Sequence, residues 1–136
     1  MRTRARKCAD TIHENSEVKV VSHIDADGIT SAAILINALN RQNRKYSLSI
    51  VQQLTDEIIE QVSKENFHNL VFTDIGSGHF SLIKKLMKNK KVFILDHHET
   101  DSTENAENII HVNPHFFGID GSREISGAGV VYMVAK

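Results

Sequence analysis

Short apolar runs alternate with longer amphipathic stretches along this chain, which is the pattern of a parallel sheet covered by helices. Val18 to Ser22, Leu70 to Thr73 and Lys91 to Leu95 read as buried strands. Tyr46 to Val51 joins them by its alternation, and Ile109 to Val112 reads as a short fifth strand. Helical spacing predicts a first helix over roughly 2–15, and a second from near Ile29 through Ala32, Leu35 and Leu39. A third covers Asp56 to Lys64, with Ile58, Ile59 and Val62 on one face. A fourth covers Phe80 to Lys88, with Leu82, Ile83 and Leu86 inward. Asn113 to Ser126 reads as an ordered loop carrying Pro114, Gly118 and Gly121. Ser126-Gly127-Ala128-Gly129 then opens a last apolar helix, Val130 to Ala135. So apolar a helix is expected to be buried, yet little sequence follows to cover it, and the chain reads as a fragment of something longer. The expected fold is α/β, a mostly five-stranded parallel sheet with helices on both faces.

The polar residues that follow these strands carry the candidate chemistry. Strand one runs into His23-Ile24-Asp25-Ala26-Asp27-Gly28, strand three into Asp74-Ile75-Gly76-Ser77-Gly78, and strand four into Asp96-His97-His98. Crevices at the carboxyl ends of parallel strands are where open α/β sheets bind ligands. In an extended segment i and i+2 share a face, so His23, Asp25 and Asp27 can point into one site. Gly28 permits a close backbone approach. The helix starting at Ile29-Thr30-Ser31 offers free N–H groups to an anion. The plain alternative, that Asp25 and Asp27 merely cap this helix, needs one Asp rather than two and a His. Adjacent imidazoles in extended backbone point to different sides, which suggests that one of His97 and His98 is a ligand and the other faces substrate. Asp96 either orients a ring or is a ligand itself. Clustered carboxylates are costly unless cations neutralise them. Mixed oxygen and nitrogen donors without thiolate admit Mn²⁺, or Mg²⁺ where carboxylates dominate. The donors suffice for two ions, the common device for phosphoester hydrolysis.

Composition narrows the picture further. A chain of 136 residues, 40% hydrophobic and 24% charged, fits one soluble domain. The net charge of −1 and pI near 6.7 do not announce a nucleic-acid binder. Arg2, Arg4, Arg6 and Lys7 read as the solvated face of the first helix. Cys8, the single cysteine, excludes an intramolecular disulfide and reads as a small packed residue. No apolar stretch approaches a membrane span and no signal peptide is visible, so a cytoplasmic location is expected.

Four segments resemble the DHH phosphoesterase superfamily: SHIDADGITSAAIL at 22–35, VFTDIGSGH at 71–79, ILDHHET at 94–100 and NPHFFGIDGSREISGAGVVYMVAK at 113–136. The closer likeness is to the archaeal RecJ-like, single-strand-specific exonuclease branch. The triplet alone is a weak signal; the motifs in order, at strand ends and with this spacing, are a strong one. The resemblance implies two Mn²⁺ or Mg²⁺ ions, His23 and Asp25 holding the first, Asp27 and His97 the second, and Asp74 bridging them. It implies His98 at the scissile phosphate and Asp96 in support of the histidines, both counted as catalytic. It also implies phosphate contacts from Ser31 and from the turn holding Gly127 and Gly129. Residues 1–136 would then be the N-terminal part of a DHH domain, before a fourth acidic motif and a DHHA1-type second domain. The implied activity is metal-dependent hydrolysis of single-stranded DNA or RNA, directed to the 5′ end, in DNA replication or repair. Two other readings go with the resemblance. One is a phosphatase or phosphodiesterase of small substrates. The other is a non-catalytic interaction module like Cdc45, associating with GINS and other replisome proteins.

Overall fold

The computed structural model describes residues 1–12 and 17–136. Five parallel strands make one sheet: β1 (Val18–His23), β2 (Tyr46–Val51), β3 (Asn69–Thr73), β4 (Lys91–Leu95) and β5 (Ile109–Val112). Their order across the sheet is β2-β1-β3-β4-β5. The chain thus leaves β1 toward one edge and returns on its other side. The gap between β1 and β3 is the topological switch point, where the connecting loops part and a crevice opens.

Helices α1 (Arg2–Thr11), α2 (Ala26–Arg41), α3 (Asp56–Lys64), α4 (Phe80–Leu86) and α5 (Gly127–Ala135) cover both faces. The central strands are apolar on both sides, as a covered parallel sheet requires. Val18, Val20, Val71, Phe93 and Leu95 face one core, built with α1, α2 and α5. Val21, Leu70, Phe72, Val92 and Ile94 face the other, built with α3 and α4. Lys19 interrupts the apolar run of β1, and its ammonium is satisfied by Ser49 Oγ at 2.8 Å and Glu65 Oε2 at 3.2 Å. Cys8 is buried against the first core, and burial pushes its thiol up to about 12, so it stays an inert packing group.

Several elements differ from the expectation. The first helix ends at Thr11, and residues 13–16 of the expected span lie outside the described residues. Helix α2 begins at Ala26 rather than near Ile29, because Asp25 accepts the Gly28 N–H at 2.8 Å and caps the helix. A short 3₁₀ turn, Ser77–His79, precedes α4, which stops at Leu86. The loop after β5 contains a second 3₁₀ turn, Pro114–Phe117. The apolar α5 does find cover: Val130, Val131 and Val134 are buried, and the helix packs on α2 and α1. Its cover therefore comes from upstream segments distant in sequence. Arg4 is likewise engaged rather than solvated, with its guanidinium over the Phe116 and Phe117 rings and Nη1 donating to the His111 carbonyl.

The turn from β1 into α2 sets where the crevice lies, and Gly28 makes it possible. A Cβ at Gly28 would sit 2.2 Å from the His23 carbonyl oxygen. The Ser22 hydroxyl bonds the Gly28 carbonyl at 2.7 Å and closes the turn from inside. Gly78, with nothing within 4 Å of the same added atom, is the internal control. Gly28→Ala is expected to cost about 2 kcal/mol or more in urea unfolding, against less than about 0.5 kcal/mol for Gly78→Ala.

Candidate metal centre at the strand ends

Asp74 occupies the centre of the crevice. It follows β3 at φ +60°, a left-handed conformation uncommon outside glycine, and its N–H bonds the Leu95 carbonyl at 2.9 Å. Its side chain is 1% exposed, and neither carboxylate oxygen has a hydrogen-bond partner. A buried, unpaired carboxylate is among the costliest groups a fold can carry. Burial, and then the nearby charges of Asp27, Asp96 and Asp25, push its pKa up to about 8.

Two imidazoles aim at this carboxylate from opposite sides. His23 Nε2 lies 3.0 Å from the Gln52 carbonyl, so that nitrogen carries a proton. Its Nδ1 then points bare at Asp25 Oδ2, 3.0 Å away, and at Asp74 Oδ2, 3.9 Å away. His97 repeats the arrangement with its nitrogens exchanged. Nδ1 donates to the Gly121 carbonyl at 2.6 Å, and Nε2 faces Asp27 Oδ2 at 3.3 Å and Asp74 Oδ1 at 3.2 Å. In neutral rings these are lone pairs facing carboxylate lone pairs. The arrangement is repulsive unless a cation or proton stands between them. Ligand atoms from His23, Asp25 and Asp74 all lie within 4.8 Å of one another, as do atoms from Asp74, Asp96, His97 and His98. A backbone carbonyl on the far nitrogen of each ring is the orientation that metal-ligating histidines adopt.

Asp25 and Asp27 do not lie on one extended segment as expected; Asp25 caps α2 and Asp27 lies in its first turn. Asp25 caps the helix and also faces His23, so the capping and the ligand readings describe the same side chain. Its N–H bond from Gly28 leads the effects that lower its pKa. Asp27 accepts from the Gly127 and Ala128 N–H groups at 2.7 and 2.8 Å, which ties the start of α2 to the start of α5.

Asp96 and His98 form a separate pair. Asp96 Oδ1 accepts from His98 Nδ1 at 2.7 Å and from the His97 N–H at 2.8 Å, while Oδ2 accepts from the Ser77 N–H at 2.9 Å. Burial works against the Asp96 charge, but the His98 and Ser77 bonds outweigh it and hold its pKa at about 2. The same bond to Asp96 raises His98 to about 9 against its own desolvation, so its imidazolium faces the crevice with a side chain 55% exposed. The His97 and His98 rings do not point to opposite sides: residues 96–98 leave the strand, and the ring centroids lie 4.3 Å apart.

The groups expected to contact phosphate are buried or engaged inside the protein. Ser31 is fully buried inside α2, and its hydroxyl is sealed from the crevice. The Gly127 N–H is already taken by Asp27, and the Gly129 N–H by Ser126 Oγ at 3.2 Å. Gly127 has a spatial role instead, since a Cβ there would lie 2.3 Å from Asp74 Oδ1. Sequence reasoning missed the Gln52 and Gly121 carbonyls, because a backbone oxygen leaves no residue signature. Gly121 did carry one signal, its lack of a side chain: a Cβ there would lie 2.0 Å from the His97 carbonyl oxygen.

Fold and crevice define a class: a parallel α/β domain with an aspartate–histidine centre at its switch point. The family model for the "DHH family, N-terminal domain" matches residues 17–136, and the chain belongs to that family. It is 46% identical over 125 residues to the uncharacterized protein MJ0831 of Methanocaldococcus jannaschii, covering 88% of this chain and 28% of that protein. The fold is similar to manganese-bound RecJ of Thermus thermophilus (TM-score 0.73, 22% identity, 98% of this chain and 20% of that one). A second manganese-bound exonuclease RecJ gives a TM-score of 0.75 at 21% identity, over 98% of this chain and 36% of that one. CDC45 of Entamoeba histolytica gives 0.66 at 19% identity, over 98% of this chain and 27% of that one. The chain thus spans about a quarter of its curated relative and a fifth to about a third of these structures. No helix among the described residues is long and apolar enough to cross a membrane.

In metal-free protein Asp74 keeps its proton up to about pH 8, whereas in the unfolded chain it loses it near the ordinary carboxylate value. The folded state binds more protons in that interval, so stability falls as pH rises through it. The His98 imidazolium adds a loss of the same sign above its ordinary range. Wild type in EDTA is expected to lose about 2 kcal/mol more than Asp74→Asn between pH 5 and 7, measured by urea unfolding. Parallel pH profiles would refute the burial of an unpaired carboxylate.

Proposed function

We propose that this chain is the metal-binding part of a DHH phosphoesterase that hydrolyses single-stranded nucleic acid, a RecJ-like exonuclease working from the 5′ end. The observation that carries the reading is Asp74: a buried carboxylate without a donor, flanked by two bare imidazole nitrogens. The donor set fits two divalent ions that share Asp74. His23 and Asp25 would hold one, and Asp27 and His97 the other. A divalent ion held by these residues would make water more acidic and offset negative charge on the phosphate. The manganese named with both RecJ structures supports the choice of ion. The reading also takes residues 1–136 as part of a longer catalytic protein that contributes the rest of the cleft. The small share of MJ0831 and of both RecJ structures that the chain covers supports it.

The chain's own groups divide the remaining work. Asp96 holds His98 Nδ1, which leaves Nε2 of this half-exposed ring available. That nitrogen is placed to donate a proton to a phosphate oxygen or a leaving oxygen. Asp96 orients the ring and keeps it charged. The Gln52 and Gly121 carbonyls hold the His23 and His97 rings so that only their near nitrogens face the centre. The likeness to CDC45 favours a second reading, an interaction module of a replication assembly. The carboxylates and imidazoles that gather around Asp74 favour catalysis over that reading.

Calorimetric titration tests the metal. Wild type is expected to bind Mn²⁺ with two equivalents per chain and Asp74→Asn at least about tenfold more weakly. Equal binding by both proteins would overturn the bridging role. On 5′-labelled single strands, the protein in its full natural length is expected to lose about 10²-fold or more in kcat on His98→Gln. An unchanged rate would remove His98 from the mechanism, and no Mn²⁺-dependent cleavage by wild type would leave the interaction module.

A further inference from the structure

Asn113 lies outside the aspartate–histidine cluster, yet it touches the active loop directly. It follows β5, is fully buried, and uses its whole side chain. Oδ1 accepts the His115 N–H at 3.0 Å and caps the Pro114–Phe117 turn. Nδ2 donates twice, to the His98 carbonyl at 2.8 Å and to Ser77 Oγ at 2.9 Å. Ser77 is buried as well, and it is the residue whose N–H holds Asp96 Oδ2. Its hydroxyl also lies 2.8 Å from His111 Nε2. Asn113 occupies one lone pair of that hydroxyl, which leaves the other lone pair and the hydrogen for His111 and Asp96. Burial lowers the His111 pKa to about 4, so its ring meets Ser77 neutral. The His111 ring is itself held, stacked on Phe80 at 5.5 Å and edge-on to Phe116 at 4.8 Å.

One chain of contacts thus runs from an aromatic slot through His111 and Ser77 to Asn113. It grips residues 96–98 at two points, the Asp96 carboxylate and the His98 carbonyl. Both ends of the Asp96–His98 pair are therefore fixed by groups that never meet the crevice. We propose that Asn113 is a positioning residue for His98, with Ser77 as its anchor and the buried His111 ring holding the Ser77 hydroxyl in place. The catalytic part of this inference rests on the phosphoesterase reading; the structural part does not.

Asn113→Asp separates positioning from capping. The aspartate is isosteric and still accepts from the His115 N–H, but it has no N–H to give to His98 or Ser77. Ser77→Ala removes one oxygen, keeps the Ser77 N–H on Asp96, and stands as the milder variant. The readout is the His98 Nδ1–H resonance in proton NMR, shifted downfield by its bond to Asp96, together with exchange of the His97 and His98 amides. Wild type shows the resonance. Both variants are expected to broaden or lose it, and to exchange the two amides at least about tenfold faster, with β1 and β3 amides unchanged in rank. In the full-length protein, Asn113→Asp is expected to lower kcat about tenfold or more with KM little changed. Absence of the resonance in wild type, or its full retention in either folded variant, overturns the proposal. A normal resonance in a protein that binds no Mn²⁺ and cleaves nothing overturns the phosphoesterase reading and leaves the positioning role standing.

Discussion

A carboxylate with no partner, buried where three strands end, is the constraint around which the structure is arranged. Asp74 adopts a left-handed backbone, and its oxygens lie where no N–H or hydroxyl reaches them. Neighbouring residues yield space to it: α5 must open with Gly127, because any side chain there would run into the Asp74 carboxylate. Gly76, two residues on, takes φ +110° in a gap between Phe72 and Ile94 that leaves little room for a methyl group. A fold that kept Asp74 for packing would supply donors to it. This one supplies further negative charge and two imidazole lone pairs, which fits a group whose partner is a cation.

The imidazoles reach their positions through backbone rather than side chains. Gln52 at the end of β2 and Gly121 in the loop before α5 each present a carbonyl to the far nitrogen of a ring. Both contacts fix a tautomer, and both turn a lone pair inward. The two rings use different nitrogens, Nδ1 for His23 and Nε2 for His97, because they approach Asp74 from opposite sides of the switch point. Asp27 adds a mechanical link, since its carboxylate receives the first N–H groups of α5. The last helix is thereby tied to the crevice as well as to the core, so the geometry at the strand ends depends on the packing of Val130, Val131 and Val134.

Much of this was legible in the residues themselves. Alternating apolar and amphipathic runs predicted all five strands and all five helices, with most boundaries within a few residues. Three strand ends carrying His23, Asp25, Asp27, Asp74 and Asp96-His97-His98 marked the crevice, because parallel strands in one sheet bring their ends together. The errors were local. Helix α2 began three residues early because Asp25 caps it. Ser31 carried a polar side chain suited to phosphate, but helical periodicity turned it toward the core. Gly127 serves Asp27 with its N–H and Asp74 with its lack of a side chain, while the Gly129 N–H goes to Ser126 Oγ.

Sequence alone determined the class of fold and which candidate donors gather at the strand ends, since hydrophobic period and strand-end chemistry are properties of short segments. It did not determine which donor faces which. That needed Asp27 brought against residues 127 and 128, His97 against Gly121, and Asn113 against Ser77 and His98. Each is a contact between segments well separated in the chain, and each uses a backbone atom of a kind that every residue type shares. Only the closed tertiary structure could decide them, because the direction of a lone pair and the burial of a charge depend on what the rest of the chain places around them.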